Sequence, residues 1–265
     1  MDRHKVIVKF GGSSITFENR PKFLEELIER PEKFIRYEEI KRYAEEVSMA
    51  LKNRKIRLII FHGVKQYGHI AVDYLGVSPK VRRYCKFLSD NFVEIFRKVL
   101  PIEQLDSSKY CQWNEKLKIF EMWKYLEKLQ DIIKSGGIPV SFGTVVDKIP
   151  KGYAIISGDD AFLYAGLVTR AQEGIMYTDV PICDKNPKKY ENARPLKILR
   201  SHKDLMVDVE PFDKTGGLIG KIKKLEILAI SGTRCQIVNA LKIKNVYKSL
   251  VGMKVGTIIF PKFKL

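Results

Sequence analysis

The sequence has 265 residues, of which 45% are hydrophobic, and it carries a formal net charge of +17. This composition is enough for one large core or for two lobes that share a continuous sheet, and no segment approaches the roughly 18 uncharged apolar residues of a membrane span. Because the basic residues are spread over many segments without an RRM, KH or helix-turn-helix signature, we favour a solvated basic surface over a nucleic-acid-binding face.

Two features bear on the cellular location. The N-terminal residues carry a lysine inside a short apolar run, which is not the pattern of a secretory signal peptide. The four cysteines, Cys85, Cys111, Cys183 and Cys235, are widely separated and form no C-x-x-C pair, so they indicate neither a zinc site nor a disulfide framework. We therefore expect a soluble, cytoplasmic protein with buried free thiols, no membrane partner and no metal held by protein ligands.

Short apolar runs alternate with long segments of helical periodicity along the whole chain. The predicted strands are residues 6–10, 56–61, 138–142, 174–178, 236–240 and 256–260. The predicted helices are residues 37–52, 80–100, 117–134, 161–170 and 217–230. This alternation predicts an α/β protein with a largely parallel sheet.

The first predicted strand contains Lys9 near its end and is followed by Gly11, Gly12 and Ser13. In parallel sheets, ligands bind beyond the carboxyl ends of the strands. Two glycines allow backbone amides to approach an anion closely, and Lys9 could neutralise a transferring phosphoryl group. Since a charge in a buried strand needs an anionic partner, we favour a functional Lys9 over a surface lysine.

The second predicted strand is followed by the segment HGVKQYGH, residues 62–69. This segment is similar to a phosphate-binding loop whose middle glycines are missing. A β-branched residue is poorly suited to φ > 0, so Val64 predicts that the loop keeps ordinary backbone angles or is re-formed. Lys65 could replace the lost amide donors with a full charge. His69 ends this segment, and from the residues alone it can be a ligand contact or a hydrogen-bonded core histidine.

Two later segments carry further candidate residues. In the segment ISGDD, Asp159 or Asp160 lies where an apolar helix begins and can cap that helix or act as a partner for lysines, and Asp159 can do both. Gly216 and Gly217 open another helix, whose N-terminal amides favour phosphate, and Lys221 lies one turn inside it. The alternative for this second segment is a glycine-rich helix entry followed by a solvated lysine.

Seven segments together resemble a known family. They are KFGGSSIT, HG...YGH, ISGDD, YTDV, KNPKKYENARPLKIL, DKTGGLIGKIKKL and NALKIKNVYKSLVGMKVGTII. In this order they resemble the amino acid kinase superfamily, and within it the archaeal isopentenyl phosphate kinases. The resemblance implies an open αβα sandwich with a mainly parallel central sheet. It also implies that residues 1–150 hold the phosphoryl acceptor, that residues 151–265 hold ATP with Mg²⁺, and that the protein is a homodimer.

The resemblance assigns site residues to three groups. The predicted catalytic residues are Lys9, His69, Asp159 and Lys221. The predicted ATP-binding residues are Lys9, Gly12, Ser13, Thr178, Asp179, Lys188, Gly216, Gly217 and Lys221. The predicted substrate-binding residues are Gly11, Gly63, Lys65, Gly68, His69, Gly143 and Gly158. In this family Lys9 would bridge the donor and acceptor phosphates, and Asp159 would orient the lysines.

The activity that the resemblance implies is ATP-dependent phosphorylation of a phosphomonoester, namely isopentenyl phosphate to isopentenyl diphosphate in isoprenoid biosynthesis. Four features depart from the family's pattern: Val64 with Lys65 in the acceptor loop, Glu18 where a second lysine is usual, Thr144 where an aspartate follows Gly143, and Pro181 with Ile182 after the T-D-V segment. Two alternatives therefore stay open. One is a sister kinase with a different phosphate, phosphonate or carboxylate acceptor, and the other is a catalytically degenerate protein that binds nucleotide or a polyanion.

Overall fold

Parallel strands dominate the computed structural model, which describes residues 4–185, 187, 189–205 and 217–260. The strands are β1 (His4–Phe10), β2 (Ile56–His62), β3 (Ile102–Leu105), β4 (Gln112–Asn114), β5 (Ile119–Glu121), β6 (Ile138–Phe142), β7 (Thr144–Ile149), β8 (Tyr153–Ile156), β9 (Glu173–Thr178), β10 (Ile198–Leu199), β11 (Arg234–Asn239) and β12 (Thr257–Ile259).

The α-helices connect these strands. They are α1 (Gly12–Ile15), α2 (Glu26–Glu29), α3 (Tyr37–Asn53), α4 (Gln66–Leu75), α5 (Lys80–Arg97), α6 (Ser107–Tyr110), α7 (Trp123–Lys134), α8 (Gly158–Thr169), α9 (Gly217–Ile230) and α10 (Asn245–Leu250). Among the described residues, no helix combines the length and the apolar content that crossing a membrane requires.

The central sheet has eight strands in the order β10-β12-β11-β9-β1-β2-β6-β3, and only the β11–β12 pairing within it is antiparallel. Strand β1 lies in the middle, where Lys9 is opposite Phe61 of β2 and Met176 of β9. The carboxyl ends of these three parallel strands therefore meet at one edge of the sheet. The predicted α/β class with a mainly parallel sheet is confirmed.

Helices cover both faces of this sheet, so the predicted αβα sandwich is also confirmed. On one face Val6, Val8 and Phe10 pack in a core that includes side chains of α3, α4, α5 and α10. On the other face Ile7 packs in a second core with side chains of α7, α8 and α9. Because side chains alternate along a strand, Lys9 lies on the same face as Ile7, beneath α8.

Several predicted boundaries differ from the structure. The predicted helix 117–134 is wrong over its first residues, because β5 pairs antiparallel with β4 and α7 begins only at Trp123. The predicted loop 62–69 contains the start of helix α4. A small second sheet, in the order β5-β4-β7-β8, was not predicted. The predicted strand 138–142 and the predicted helix 217–230 are confirmed at both ends.

The cysteine prediction is confirmed as well. All four thiols are free and buried. Burial raises the pKa of the Cys85 and Cys235 thiols to about 12. Since the thiolate is the reactive form, these two thiols are chemically inert at neutral pH.

Candidate active site

Lys9 is a buried cation near the end of the central strand. Its side chain is 4% exposed, and its Nζ lies 2.9 Å from Oδ1 of Asp159. Asp159 lies in the first turn of α8, which begins with a capping box formed by Ser157 and Asp160. The capping box fixes the start of the helix, so the carboxylate of Asp159 is held at the carboxyl edge of the sheet. The predicted anionic partner of Lys9 is thus present.

Burial and charge act in opposite directions on this pair. Burial lowers the pKa of the Lys9 ammonium below its ordinary value, although Asp159 partly opposes the shift. Burial alone would raise the pKa of the Asp159 carboxyl, but the Lys221 and Lys9 ammonium groups outweigh burial and hold that pKa well below its usual range. Asp159 is therefore ionised at neutral pH and serves as the fixed negative charge between the lysines.

Lys221 supplies the second cation. Its Nζ lies 3.4 Å from Oδ2 of Asp159 and also donates to the carbonyl of Gly217 at 3.4 Å. Asp159 thus bridges a lysine of β1 and a lysine of α9, which are more than two hundred residues apart in sequence. A site for a transferring phosphoryl group needs such cations held in fixed positions.

A second ion pair lies one turn further along α9. Asp160 was predicted as an alternative partner for lysines, but Lys224 was not identified. Lys224 Nζ lies 3.2 Å from Oδ1 of Asp160. The signal was present in the sequence, because Lys221 and Lys224 share one helix face and Asp159 is adjacent to Asp160. Together the two pairs attach the start of α9 to the start of α8.

Glycines bring the loops after β1 and β2 into backbone contact. A Cβ at Gly63, after β2, would lie 2.6 Å from the backbone nitrogen of Gly12, after β1. On the other side of the loop after β1, a Cβ at Gly11 would lie 2.7 Å from the carbonyl oxygen of Tyr177 in β9. At Gly12 a Cβ would lie 2.7 Å from Cβ of Lys65. Real Cβ atoms do not approach so closely, so glycine is required where these two loops meet.

Gly143 and Gly158 lie next to each other beside Lys9. A Cβ at Gly143 would lie 2.7 Å from the nitrogen of Gly158, and a Cβ at Gly158 would lie 2.8 Å from the carbonyl oxygen of His62 and 3.1 Å from Cε of Lys9. These glycines permit close packing around the lysine. Gly68 has a different neighbour, since its Cβ would lie 2.6 Å from Cγ2 of Val64.

The loop after β2, residues 62–69, contains a strained residue. Val64 keeps a negative φ, as predicted, whereas Lys65 has φ 35° and ψ −115° and immediately precedes α4. Lys65 Nζ lies 3.0 Å from Oε1 of Glu18. His69 is half-buried in the first turn of α4, where its backbone nitrogen donates to the carbonyl of Lys65 at 2.7 Å.

The loop after β1 also contacts the loop after β9. Ser13 Oγ donates to Oδ1 of Asp179 at 2.6 Å, and Thr178 Oγ1 donates to the carbonyl of Val180 at 2.7 Å. The predicted residues Lys188 and Gly216 lie outside the described residues. Gly217 begins α9 with φ 53°, a backbone angle that glycine adopts without strain.

His62 is a further residue of this edge that the sequence reasoning did not assign. Its ring is fully buried and stacks on Phe92 and Phe142, with centroid distances of 4.8 Å and 5.6 Å. Burial lowers its pKa to about 4, and Nδ1 lies 3.0 Å from the carbonyl oxygen of Gly63. His62 is therefore neutral at pH 7 and adds no charge near Lys9.

The described side chains of this site do not form a complete set of ligands for a metal ion. Within the described ranges, no group of three or more His, Cys, Asp or Glu side chains is placed to hold one. Mg²⁺ at phosphoryl-transfer sites is bound by few carboxylates together with substrate phosphates. A magnesium ion would fit here on the phosphate oxygens of a nucleotide.

Comparisons of this chain with known proteins, by sequence and by structure, point to one family. A sequence profile of the amino acid kinase family matches residues 4–239. The chain is 28% identical to isopentenyl phosphate kinase of Methanothermobacter thermautotrophicus, over 97% of this chain and 99% of that protein. It is 27% identical to isopentenyl phosphate kinase of Methanocaldococcus jannaschii, over 95% and 96% of the two chains. X-ray structures of isopentenyl phosphate kinase share the fold, with a TM-score of 0.70 and 24% identity over 97% of this chain and 100% of that one.

Proposed function

The chain belongs to the amino acid kinase family, and from this premise we propose that it transfers the γ-phosphoryl group of ATP to isopentenyl phosphate, giving isopentenyl diphosphate. The observation that carries the proposal is the buried bridge Lys9–Asp159–Lys221 at the carboxyl edge of the sheet. The similarity to two isopentenyl phosphate kinases over nearly the whole chain supports the choice of acceptor.

In this proposal the Lys9–Asp159–Lys221 bridge accelerates phosphoryl transfer by positioning the two phosphates and by stabilising their negative charge. Lys9 lies between the donor and acceptor phosphates, Lys221 binds the donor, and Asp159 orients both ammonium groups. Phosphoryl transfer requires little covalent chemistry from the protein, because in-line positioning and cations that stabilise the transferring group account for most of the acceleration. The cations are already fixed by Asp159, so little reorganisation accompanies the reaction.

The donor side is assigned to residues 151–265 together with the loop after β1. ATP would be held by residues that follow strands or begin a helix: Gly12, Ser13, Thr178, Asp179, Lys188, Gly216, Gly217 and Lys221. Mg²⁺ would be bound through the phosphate oxygens of ATP and would supply further positive charge. Mg²⁺ dependence and a homodimeric state belong to this proposal, and assays without metal and light scattering in solution test them.

The acceptor side is assigned to residues 1–150 with Gly158. Its phosphate would be held by the loops that meet at the glycines, with His69 and Lys65 as side-chain donors and Gly11, Gly63, Gly68, Gly143 and Gly158 as residues that allow close approach. The backbone contact between Gly12 and Gly63 places this loop next to the donor loop. Donor and acceptor would therefore meet at Lys9.

A coupled ADP-release assay with isopentenyl phosphate tests the function. We expect ADP release that depends on the acceptor, and release without acceptor dependence would contradict the proposal. The panel should include other phosphates, phosphonates and carboxylates, because Lys65 and Glu18 depart from the family pattern. Preferred turnover of one of these would identify a sister kinase. A thermal shift with Mg·ATP but no turnover of any acceptor would identify a degenerate nucleotide-binding protein.

Replacement of His69 by alanine is expected to raise KM for isopentenyl phosphate by roughly tenfold or more, because a hydrogen bond to a charged phosphate is lost. KM for ATP should change far less, since the donor is held elsewhere. Saturation curves for each substrate measure the difference. His4→Ala is the matched control, because His4 begins β1 at the opposite edge of the sheet, where it contacts Glu173. Equal changes in both KM values for His69→Ala would contradict the acceptor assignment.

A further inference from the structure

The loop of residues 62–69, which is assigned above to the acceptor, contains an ion pair to a neighbouring segment. Lys65 Nζ lies 3.0 Å from Oε1 of Glu18, with side chains 29% and 55% exposed. The pair joins the loop after β2 to the segment that follows α1. A cation next to the proposed acceptor site therefore has an anionic partner within the protein.

The backbone of Lys65 is costly for a lysine. Its φ of 35° lies in the region that glycine adopts without strain and that a residue with a Cβ disfavours. Glycine at this position would therefore relax the loop. The backbone nitrogen of Lys65 is also in close contact with Gly12, lying 2.9 Å from where a Cβ of Gly12 would be. Such strain at a functional loop points to a use for the side chain.

The segment that carries Glu18 is fixed to the same loop. The buried Gln66 accepts from Thr16 Oγ1 at 2.8 Å through Oε1, and its Nε2 donates to the carbonyl of Phe17. From the other side, Arg36 donates to the carbonyl of Thr16 at 3.0 Å and lies over the ring of Phe17, 4.5 Å from its centroid. Glu18 therefore follows two anchored residues and is held within reach of Lys65.

We propose that Lys65 is a specificity-determining residue that exchanges its partner, binding Glu18 when the acceptor site is empty and the acceptor's phosphate when it is filled. This inference rests on the proposed function, because it takes the acceptor to be a phosphomonoester. A phosphate dianion carries more charge than the carboxylate and offers three acceptor oxygens, so it competes for the lysine. A neutral alcohol cannot displace Glu18, and it gains no contact from Lys65.

A double-mutant cycle tests this exchange. Glu18→Gln removes the competitor and should lower KM for isopentenyl phosphate by roughly two- to fivefold. Lys65→Gly should raise that KM by roughly tenfold, and it also relieves the positive φ, so the loss cannot be attributed to a strained or unfolded loop. In the Lys65→Gly background, Glu18→Gln should lower KM much less than it does in the wild type, because the competition is gone.

Two results would overturn the inference. One is an unchanged or raised KM in Glu18→Gln, and the other is an equal effect of Glu18→Gln with and without Lys65. Lys80→Met, which removes an exposed lysine at the start of α5, serves as the control for net charge and should change KM by less than about twofold.

A separate readout distinguishes this inference from the proposed function. If the wild type does not turn over isopentenyl phosphate, the proposed function fails. Binding of inorganic phosphate to the same variants is then measured by calorimetry, with Mg·AMP-PNP filling the donor site. This measurement tests whether Lys65 exchanges Glu18 for phosphate. Tighter phosphate binding in Glu18→Gln and weaker binding in Lys65→Gly would support it. Unchanged binding in both variants would overturn it.

Discussion

Replacement of Lys221 by alanine is expected to lower ATP-dependent turnover by roughly two to three orders of magnitude while the protein stays folded. Lys221 Nζ lies 3.4 Å from Asp159 at the start of α9, where the proposed donor phosphates would bind. Loss of one preorganised charge at such a site costs on the order of 10²–10³ in kcat. The fold should persist, because Lys9 still neutralises the buried carboxylate of Asp159 at 2.9 Å.

The measurement is the coupled ADP-release assay, together with a thermal shift on addition of Mg·ATP. Lys223→Ala is the matched control, since Lys223 is an exposed lysine of the same helix. We expect the control to keep wild-type kinetics and the Lys221 variant to lose both turnover and the nucleotide-induced shift. Unchanged kinetics in Lys221→Ala would remove the assignment of the donor site.

Local sequence patterns were sufficient to locate much of this edge. Lys9, Gly11 and Gly12 were identified because a polar and glycine-rich segment follows a buried strand, and parallel strands place such segments at one edge. Asp159 and Asp160 were identified as candidates because acidic residues begin an apolar helix there. These signals lie within a few residues, whereas the choice of Asp159 over Asp160 rested on the family resemblance.

Other features depend on contacts between distant segments and could not be predicted. The antiparallel pairing of β4 with β5 turned part of a predicted helix into a strand, because cross-strand pairing overrides a short periodic pattern. The contact of Lys65 with Glu18 joins residues 47 positions apart. The positive φ falls on Lys65, at the point where the loop packs against Gly12, a residue more than fifty positions earlier in the chain.

The shared carboxylate of Asp159 holds the two cations of the buried bridge in place. A buried ammonium group is unfavourable unless a carboxylate compensates it. Asp159 compensates Lys9 and Lys221 at once, and Lys224 with Asp160 repeats the arrangement one turn along. Removal of the shared carboxylate should therefore affect stability and catalysis together.

Replacement of Asp159 by asparagine is expected to be the most destabilising of these changes. It leaves Lys9 as a buried charge beside Lys221 with no carboxylate, and breaking a buried pair in this way costs about 3–5 kcal/mol. For a chain of this size we expect Tm to fall by roughly 10 °C. We also expect kcat to fall by about 10²-fold or more, because both lysines lose the group that orients them. Thermal melts and the ADP-release assay measure the two effects.

The pH dependence of the Asp159→Asn variant shows whether its loss of stability comes from the unpaired charge of Lys9 or from poorer packing of the asparagine. Burial lowers the pKa of Lys9, and loss of the carboxylate should lower it further. A base with a lowered folded-state pKa destabilises the fold while protonated, and this cost fades as pH rises towards the unfolded-state pKa of about 10.4. The Tm difference between variant and wild type should therefore narrow as pH rises from neutral towards the lowered pKa of Lys9 in the folded wild type, and above that pKa it should stay constant. A difference that does not change with pH would attribute the loss to packing of the asparagine.

The matched control for this variant is Asp147→Asn. Asp147 also pairs with a cation, Arg82, at 2.6 Å, but its side chain is 63% exposed. Because water and salt screen an exposed pair, we expect little change in Tm, in kcat or in the pH dependence of either. The same substitution should thus have almost no effect on Tm and kcat at Asp147 and a large effect on both at Asp159. If both variants behaved alike, burial of Asp159 between two lysines would not be the property on which the site depends.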